Sequence, residues 1–328
     1  MFAGLLNKGF RGGFLLVLIY FLVTLTISFF STIELQQDLL PNLFYNYFGN
    51  KIESKWLAAI INFAFIGIGI LTLGYISVEE EVVDKQNYFP TFLFLLISSA
   101  AINPFKLSPL VVTNVLILLA FYKLINTYRK DQVLKQLFDA GFLLGLTLFI
   151  NTSGVLFLPV YFIGLFILRS NNWREWGVSL LGILVPFFIY ECMAYLSNFN
   201  SWYLPETLSY YLSHFKKPSF SEYYLPLTVI LFLLTWMTIF STLTRNHSNT
   251  VKKQKVKTIL FWFLILLIPG FFSDGANSSS TLLSFCIPAC FLIGDFLFHL
   301  KQIKITNTIL SFLLMACLIV FLGKLGVF

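Results

Sequence analysis

Long apolar segments recur along the whole chain and constrain its fold more than any other feature. A helix of about 20 apolar residues crosses the hydrocarbon core of a bilayer. On this basis we predict eleven candidate spans, at residues 12–31, 56–77, 88–104, 107–125, 137–151, 154–169, 176–197, 223–243, 257–273, 280–299 and 304–324. Only 11% of the residues are charged, whereas a typical soluble domain carries about 25%. The sequence therefore predicts an all-α, polytopic transmembrane bundle and excludes soluble enzymes and secreted disulfide scaffolds.

A polar interruption divides one of these apolar stretches. Residues 137–169 form one largely apolar stretch that is interrupted by Asn151-Thr152-Ser153-Gly154. A single helix of this length would extend about 50 Å, which is too long for one crossing. We expect two short helices joined by a polar turn.

The distribution of cations predicts the orientation of the bundle. If the N-terminus is inside, 16 Lys and Arg residues fall in cytoplasmic segments and 6 in outer segments. This asymmetry follows the positive-inside rule and favours an N-in, C-out topology. The chain then forms a single membrane domain, 1–328, with long outer loops at 32–55 and 198–222 and cytoplasmic loops at 78–87, 126–136, 170–175 and 244–256.

Several classes of function lack support in the sequence. The net charge of +7 is explained by cytoplasmic loops facing anionic lipid, so no nucleic-acid partner is expected. The four cysteines lie inside apolar runs without accompanying histidines, and no metal site is predicted. The chain has no P-loop, dinucleotide fingerprint, zinc-protease motif or serine-hydrolase motif.

Ionisable residues inside spans are candidates for function because burying them in a membrane is costly. Asp139 and Asp295 lie near the inner ends of their spans and read as boundary residues. Glu191 lies about two-thirds of the way outward along its span. It either contributes to a substrate-binding cavity on the outer side or forms a hydrogen bond with a neighbouring helix.

The first outer loop supplies the candidate catalytic residues. Glu34 and Asp38 are spaced so that a helix would place both on one face. A carboxylate there can take the proton of an attacking hydroxyl, or hold a divalent cation against a lipid phosphate. The alternative is a solvated acidic loop.

The second outer loop supplies candidate substrate-binding residues. His214, Lys216 and Lys217 occur among tyrosines and a tryptophan. Such cations can bind a lipid phosphate while the aromatic rings stack on a sugar. The alternative is interfacial anchoring.

The stretch from Asn103 to Leu196 carries a family resemblance. Its segments NPFKLSP, LFDAGFLLGLTLFINTSGVLFLPVYF and NWREWGVSLLGILVPFF resemble an uncharacterised Bacteroidota family of polytopic inner-membrane proteins. This resemblance implies the bacterial inner membrane. Some members of that family carry the label carotene oxygenase, which three histidines in separate segments do not support.

A second, looser resemblance concerns Ala140 to Leu146, the polar break after it and the apolar run with Pro159. This pattern is similar to the middle of GT-C membrane glycosyltransferases. The resemblance implies a catalytic acid in the first outer loop, where Glu34 and Asp38 occur, and a polyprenyl-phosphate sugar as substrate. The chain departs from these enzymes because its first outer loop has no Asp-x-Asp sequence or adjacent acidic pair.

Three functions remain open at this stage. The leading hypothesis is a GT-C-like protein that acts at the outer leaflet on a lipid-linked sugar or isoprenoid phosphate in envelope glycan synthesis. The second is a non-enzymatic scaffold or accessory subunit of an envelope complex, with other inner-membrane proteins as partners. The third is a lipid or solute transporter. Membrane lipids are expected partners in each case.

Overall fold

The structure is all-helical. The computed structural model describes residues 10–30, 55–80, 82–83, 87–102, 108–150, 152–169, 172–196, 224–244, 250–267, 278–300 and 302–324. Within these ranges the chain forms eleven α-helices and no β-strand, so the all-α part of the prediction is confirmed. The helices are α1 (Phe10–Phe30), α2 (Lys55–Glu79), α3 (Phe89–Ala101), α4 (Pro109–Ile125), α5 (Leu134–Ile150), α6 (Phe157–Leu168), α7 (Trp173–Leu196), α8 (Leu225–Thr244), α9 (Val251–Leu267), α10 (Ser278–His299) and α11 (Ile303–Lys324).

Helix breaks follow local sequence signals. Both α3 and α4 have a proline within their first two residues. The amide at this position of a helix has no acceptor within the helix, so proline is tolerated there. The predicted interruption after α5 is confirmed, because a 3-10 turn at Thr152–Leu156 separates α5 from α6. The start of α9 differs from expectation, since the helix begins at Val251, within the segment 244–256 assigned to a loop.

Among the residues that the structure describes, three segments are long and apolar enough to cross a membrane, namely Trp56–Glu79, Trp173–Met193 and Ile303–Val320. The shorter apolar helices, which include α3, α4 and α6, pack beside them. The three long segments lie at the periphery and expose large apolar side chains such as Leu71, Phe188 and Phe312. An apolar exterior of this kind is compatible with a lipid environment.

The centre of the bundle is formed by α3 and α10. Nearly every residue of α3 is buried, and residues 283–295 of α10 are buried without interruption. A glycine allows the two helices to approach closely, because a Cβ atom on Gly294 would lie 2.6 Å from Pro90 Cγ. Asn87 joins the same two elements by donating a hydrogen bond from Nδ2 to the Gly294 carbonyl at 3.0 Å.

The closest helix pair is α5 and α7, which cross at a stripe of small residues. A Cβ on Gly141 would lie 2.3 Å from the Ser179 carbonyl oxygen, and one on Gly145 would lie 2.5 Å from that of Ile183. Gly182 makes the reciprocal approach to Phe138. Small residues let apolar helices pack at short range in the absence of a hydrophobic driving force. The glycines of the GT-C-like pattern therefore have a packing role.

Candidate functional site

The predicted cytoplasmic segments meet at one end of the bundle, which we call the charged end. It comprises the end of α2, the start of α3, the α4–α5 turn, the α6–α7 junction, the start of α9 and the end of α10. Lys252 Nζ of α9 lies 2.6 Å from Glu80 Oε2 at the end of α2. Lys255 of α9 lies over the ring of Tyr128 in the α4–α5 turn. Successive predicted spans alternate in direction, which would put these helix ends on the same side. The structure places them next to one another.

Asp295 is the centre of a buried ionic cluster at this end. Its carboxylate lies 2.7 Å from Lys257 Nζ and 3.3 Å from Lys253 Nζ. The Asp295 and Lys253 side chains are each 9% exposed. His299 lies one turn further along α10, with Nδ1 2.8 Å from the Asp295 backbone oxygen. The boundary residue of the sequence analysis is therefore the ionic link between α9 and α10.

Arg169 organises the junction of three segments. Its guanidinium donates to both carboxylate oxygens of Glu175, at 2.6 and 3.0 Å. It also donates to the backbone carbonyls of Lys130 at 2.6 Å and Thr127 at 3.3 Å. Hydrogen bonding to Glu175 raises the pKa of Arg169, although burial acts in the opposite direction. A permanently charged, planar donor group suits this multiple role.

A cleft of about 550 Å³ opens beside Arg169. It is lined by Tyr128, Arg129, Lys130, Asp131, Leu168, Arg169, Asn172, Glu175, Val251 and Lys255. We call it the basic cleft. Arg129 and Lys255 both lie over the Tyr128 ring, each with its charged atom or group 5.3 Å from the ring centroid.

Most of the predicted site residues fall outside the described ranges. These are Glu34, Asp38, His214, Lys216 and Lys217. The structure consequently neither brings them together nor separates them.

Glu191 is the one predicted site residue that the structure describes. It is half-buried in α7, next to Tyr190, whose ring packs edge-on against Phe149 of α5 at 4.9 Å. Among the described residues no hydrogen-bond or ion-pair partner reaches its carboxylate. Its helix runs from the charged end, and at 1.5 Å per residue Glu191 lies about 27 Å along α7 from Trp173. That distance is close to the thickness of a bilayer core.

Other charged and sulfur-containing groups have local partners. Lys123 forms a half-exposed ion pair with Asp139 at 3.1 Å. Cys286 and Cys290 are buried on one face of α10, with their sulfur atoms 3.4 Å apart. No group of three or more His, Cys, Asp or Glu suited to a metal ion occurs in the part of the chain that the structure describes.

Sequence reasoning missed the basic cleft. The sequence indicates Arg129, Lys130, Arg169 and Lys255 only as cations of the predicted cytoplasmic segments. The adjacent Tyr-Arg-Lys triplet at 128–130 was the available local signal, but the four lining segments are far apart in the chain.

A family model described as a family of unknown function, DUF6427, matches residues 39–327. The match includes every helix from α2 to α11 and begins one residue after Asp38. No curated protein and no solved structure matches the chain.

Proposed function

We propose that this chain, which belongs to the family DUF6427, is a multi-pass protein of the bacterial inner membrane that acts on a lipid-linked sugar or isoprenoid phosphate. In this proposal the charged end faces the cytoplasm and the opposite end works at the outer leaflet. The reaction class is glycosyl transfer of the GT-C kind, in envelope glycan synthesis.

The orientation is supported by the clustering of cations. Lys252, Lys253, Lys255, Lys257 and Arg169 all come from segments of the charged end. Cationic loops remain preferentially on the cytoplasmic side during membrane insertion. The apolar exteriors of α2, α7 and α11 supply the surface that contacts lipid.

The observation that carries the functional proposal is the carboxylate of Glu191, which has no hydrogen-bond or ion-pair partner among the described residues. An ionisable group at membrane depth is costly unless it faces water, a polar partner or a ligand. Glu191 lies far from the charged end, five residues before α7 ends at Leu196. The predicted outer loop 198–222, which contains His214, Lys216 and Lys217, follows in the sequence. We assign to Glu191 the role of orienting a polar headgroup at the outer leaflet.

The proposed reaction needs one base and one phosphate-binding group. Glu34 or Asp38 takes the proton of the acceptor hydroxyl, or holds a divalent cation against the phosphate. The acceptor oxygen forms the new glycosidic bond while the bond between the sugar and the lipid phosphate breaks. Lys216, Lys217 and His214 bind the phosphate that leaves with the electron pair.

Carboxamide substitutions test the assignment. We expect Asp38→Asn or Glu34→Gln to abolish formation of the surface glycan without loss of folded protein, and Glu191→Gln to reduce it. Asp139→Asn is the matched control, because it removes a carboxylate at the opposite end. If the Asp38 and Glu34 variants both behave like the natural protein, the catalytic assignment is wrong.

Native mass spectrometry of gently purified protein separates this proposal from a scaffold. A bound polyprenyl phosphate that is lost in a Lys216→Ala, Lys217→Ala double variant supports the enzyme. Ordinary phospholipids with a stoichiometric protein partner support an accessory subunit. Uptake of a solute into vesicles that contain the protein, but not into protein-free vesicles, would instead favour a transporter.

A further inference from the structure

The basic cleft carries more positive charge than its own carboxylates neutralise. Its lining has four cations, namely Arg129, Lys130, Arg169 and Lys255, and two carboxylates, Asp131 and Glu175. Glu175 is engaged by Arg169 through two hydrogen bonds. No ion pair to a carboxylate is formed by Arg129, Lys130 or Lys255 within the described residues.

Two cations from distant parts of the chain converge on one aromatic ring. Arg129 follows α4 and Lys255 belongs to α9, yet both lie over the ring of Tyr128. The ring stabilises each cation, but the two like charges repel each other. An anion bound next to both cations would offset this repulsion.

The backbone at Arg129 is strained. Its φ angle is 57°, and it is the one non-glycine residue with a positive φ in the described part of the chain. A side chain in this left-handed conformation costs roughly 1–2 kcal/mol, and glycine is the residue that adopts it readily. Strain retained at a charged residue in a cleft is a feature of binding sites.

Hydrogen bonds fix the turn that carries Arg129, and the cleft has a suitable size. Arg169 anchors the turn that carries Arg129 by hydrogen bonds to the carbonyls of Thr127 and Lys130. Lys130 is held by a hydrogen bond to Asn126 Oδ1. A volume of about 550 Å³ falls within the range of roughly 300–1,000 Å³ that small-molecule sites occupy.

We propose that the basic cleft is a binding site for a phosphate ester at the charged end of the molecule. Arg129, Lys130 and Lys255 contact the phosphate oxygens, and Tyr128 and Asn172 face the organic group. Arg169 is a positioning residue that holds the turn. Two sources share this chemistry, the headgroup of an anionic phospholipid and a soluble phosphorylated metabolite.

Two binding measurements on the full-length chain distinguish the sources. The protein is placed in nanodiscs of phosphatidylcholine and titrated with glycerol 3-phosphate by calorimetry. In parallel, native mass spectrometry measures retention of phosphatidylglycerol from nanodiscs that contain equal parts of phosphatidylglycerol and phosphatidylcholine. Saturable calorimetric binding identifies a soluble ligand, and selective retention identifies a lipid headgroup.

The variants separate loss of binding from loss of folding. Arg129→Gly removes one cation and relieves the left-handed backbone, so its melting temperature should equal or exceed that of the natural protein. We expect Arg129→Gly and Lys255→Ala each to weaken binding of the responsive probe about tenfold, because each removes a charge-assisted contact. Lys135→Ala is the control, since Lys135 is an exposed cation near the cleft that does not line it.

Either of two results would overturn the proposal. One is that the natural protein binds neither probe. The other is that the double variant, with Arg129→Gly and Lys255→Ala, binds the responsive probe as tightly as the Lys135→Ala control. The outer-leaflet reaction can fail its own test without affecting these results, because the cleft lies at the opposite end from Glu191.

Discussion

At the residue scale, the charged end shows how burial determines the contribution of an ion pair to stability. Asp295 is buried between Lys253 and Lys257. In the Lys123–Asp139 pair, by contrast, each side chain is about one-third exposed. Removing one partner of a buried pair leaves an uncompensated charge, while an exposed pair contributes little.

Substitutions of these two aspartates should therefore differ in their effect on stability. We expect Asp295→Asn to lower the free energy of unfolding by about 3 kcal/mol, because the buried Lys253 and the partly buried Lys257 lose their counter-charge. Asp139→Asn should change it by less than about 1 kcal/mol. Thermal unfolding in the same detergent measures both, and an equal effect would contradict the assignment of Asp295 as a buried link.

Arg169 supplies a second prediction at this scale, which concerns geometry more than charge. Arg169→Lys keeps the charge but cannot reproduce the hydrogen bonds to Glu175 together with those to the Thr127 and Lys130 carbonyls. We expect a loss of roughly 1–3 kcal/mol in stability. The control is Arg174→Lys, since Arg174 is exposed and lies over Trp173.

At the scale of elements, the contact between α5 and α7 depends on the absence of side chains. The atoms that a Cβ on Gly141 would meet are backbone atoms of α7, which no rotamer change can move away. In contrast, a Cβ on Gly177, in the first part of the same α7 helix, would meet nothing within 4 Å.

Alanine substitutions at these glycines should accordingly have opposite signs. Gly141→Ala must push the two helices apart, and we expect it to destabilise the protein by about 1–3 kcal/mol. Gly177→Ala should be neutral or stabilising by up to about 1 kcal/mol, because alanine favours the helix. Unfolding measured for both variants in one detergent tests this, and destabilisation by Gly177→Ala alone would show that the interface is elsewhere.

At the scale of the whole molecule, the grouping of cationic segments at one end sets the proposed orientation in the membrane. The test is chemical labelling of one introduced cysteine in spheroplasts, in a background where the exposed Cys192 is replaced by serine and the buried Cys286, Cys290 and Cys317 are retained. We expect a membrane-impermeant maleimide to label Glu206→Cys, in the predicted outer loop 198–222, but not Lys135→Cys, at the charged end, until the membrane is opened. Labelling of Lys135→Cys in intact spheroplasts would show that the topology is the reverse of the proposed one and that the basic cleft lies outside.

The positions of the helices and of the breaks between them were determined by the sequence. Each of the eleven candidate spans coincides with one helix, apart from shifts at the ends such as that of α9. Apolar runs, prolines and the polar break after α5 act through neighbouring residues, so they can be read locally. The predicted asymmetry of Lys and Arg between the two sides of the membrane is likewise read from the order of the segments along the chain.

Only the tertiary structure decided which helices meet and which charges become sites. A helix that can face lipid is apolar on every side, so its sequence pattern does not indicate the buried face. The partnership of Asp295 with Lys253 and Lys257 and the convergence of Arg129 and Lys255 on Tyr128 join segments far apart in the chain. Such contacts depend on the packing of the whole bundle, because electrostatic interactions depend on distance in space and burial.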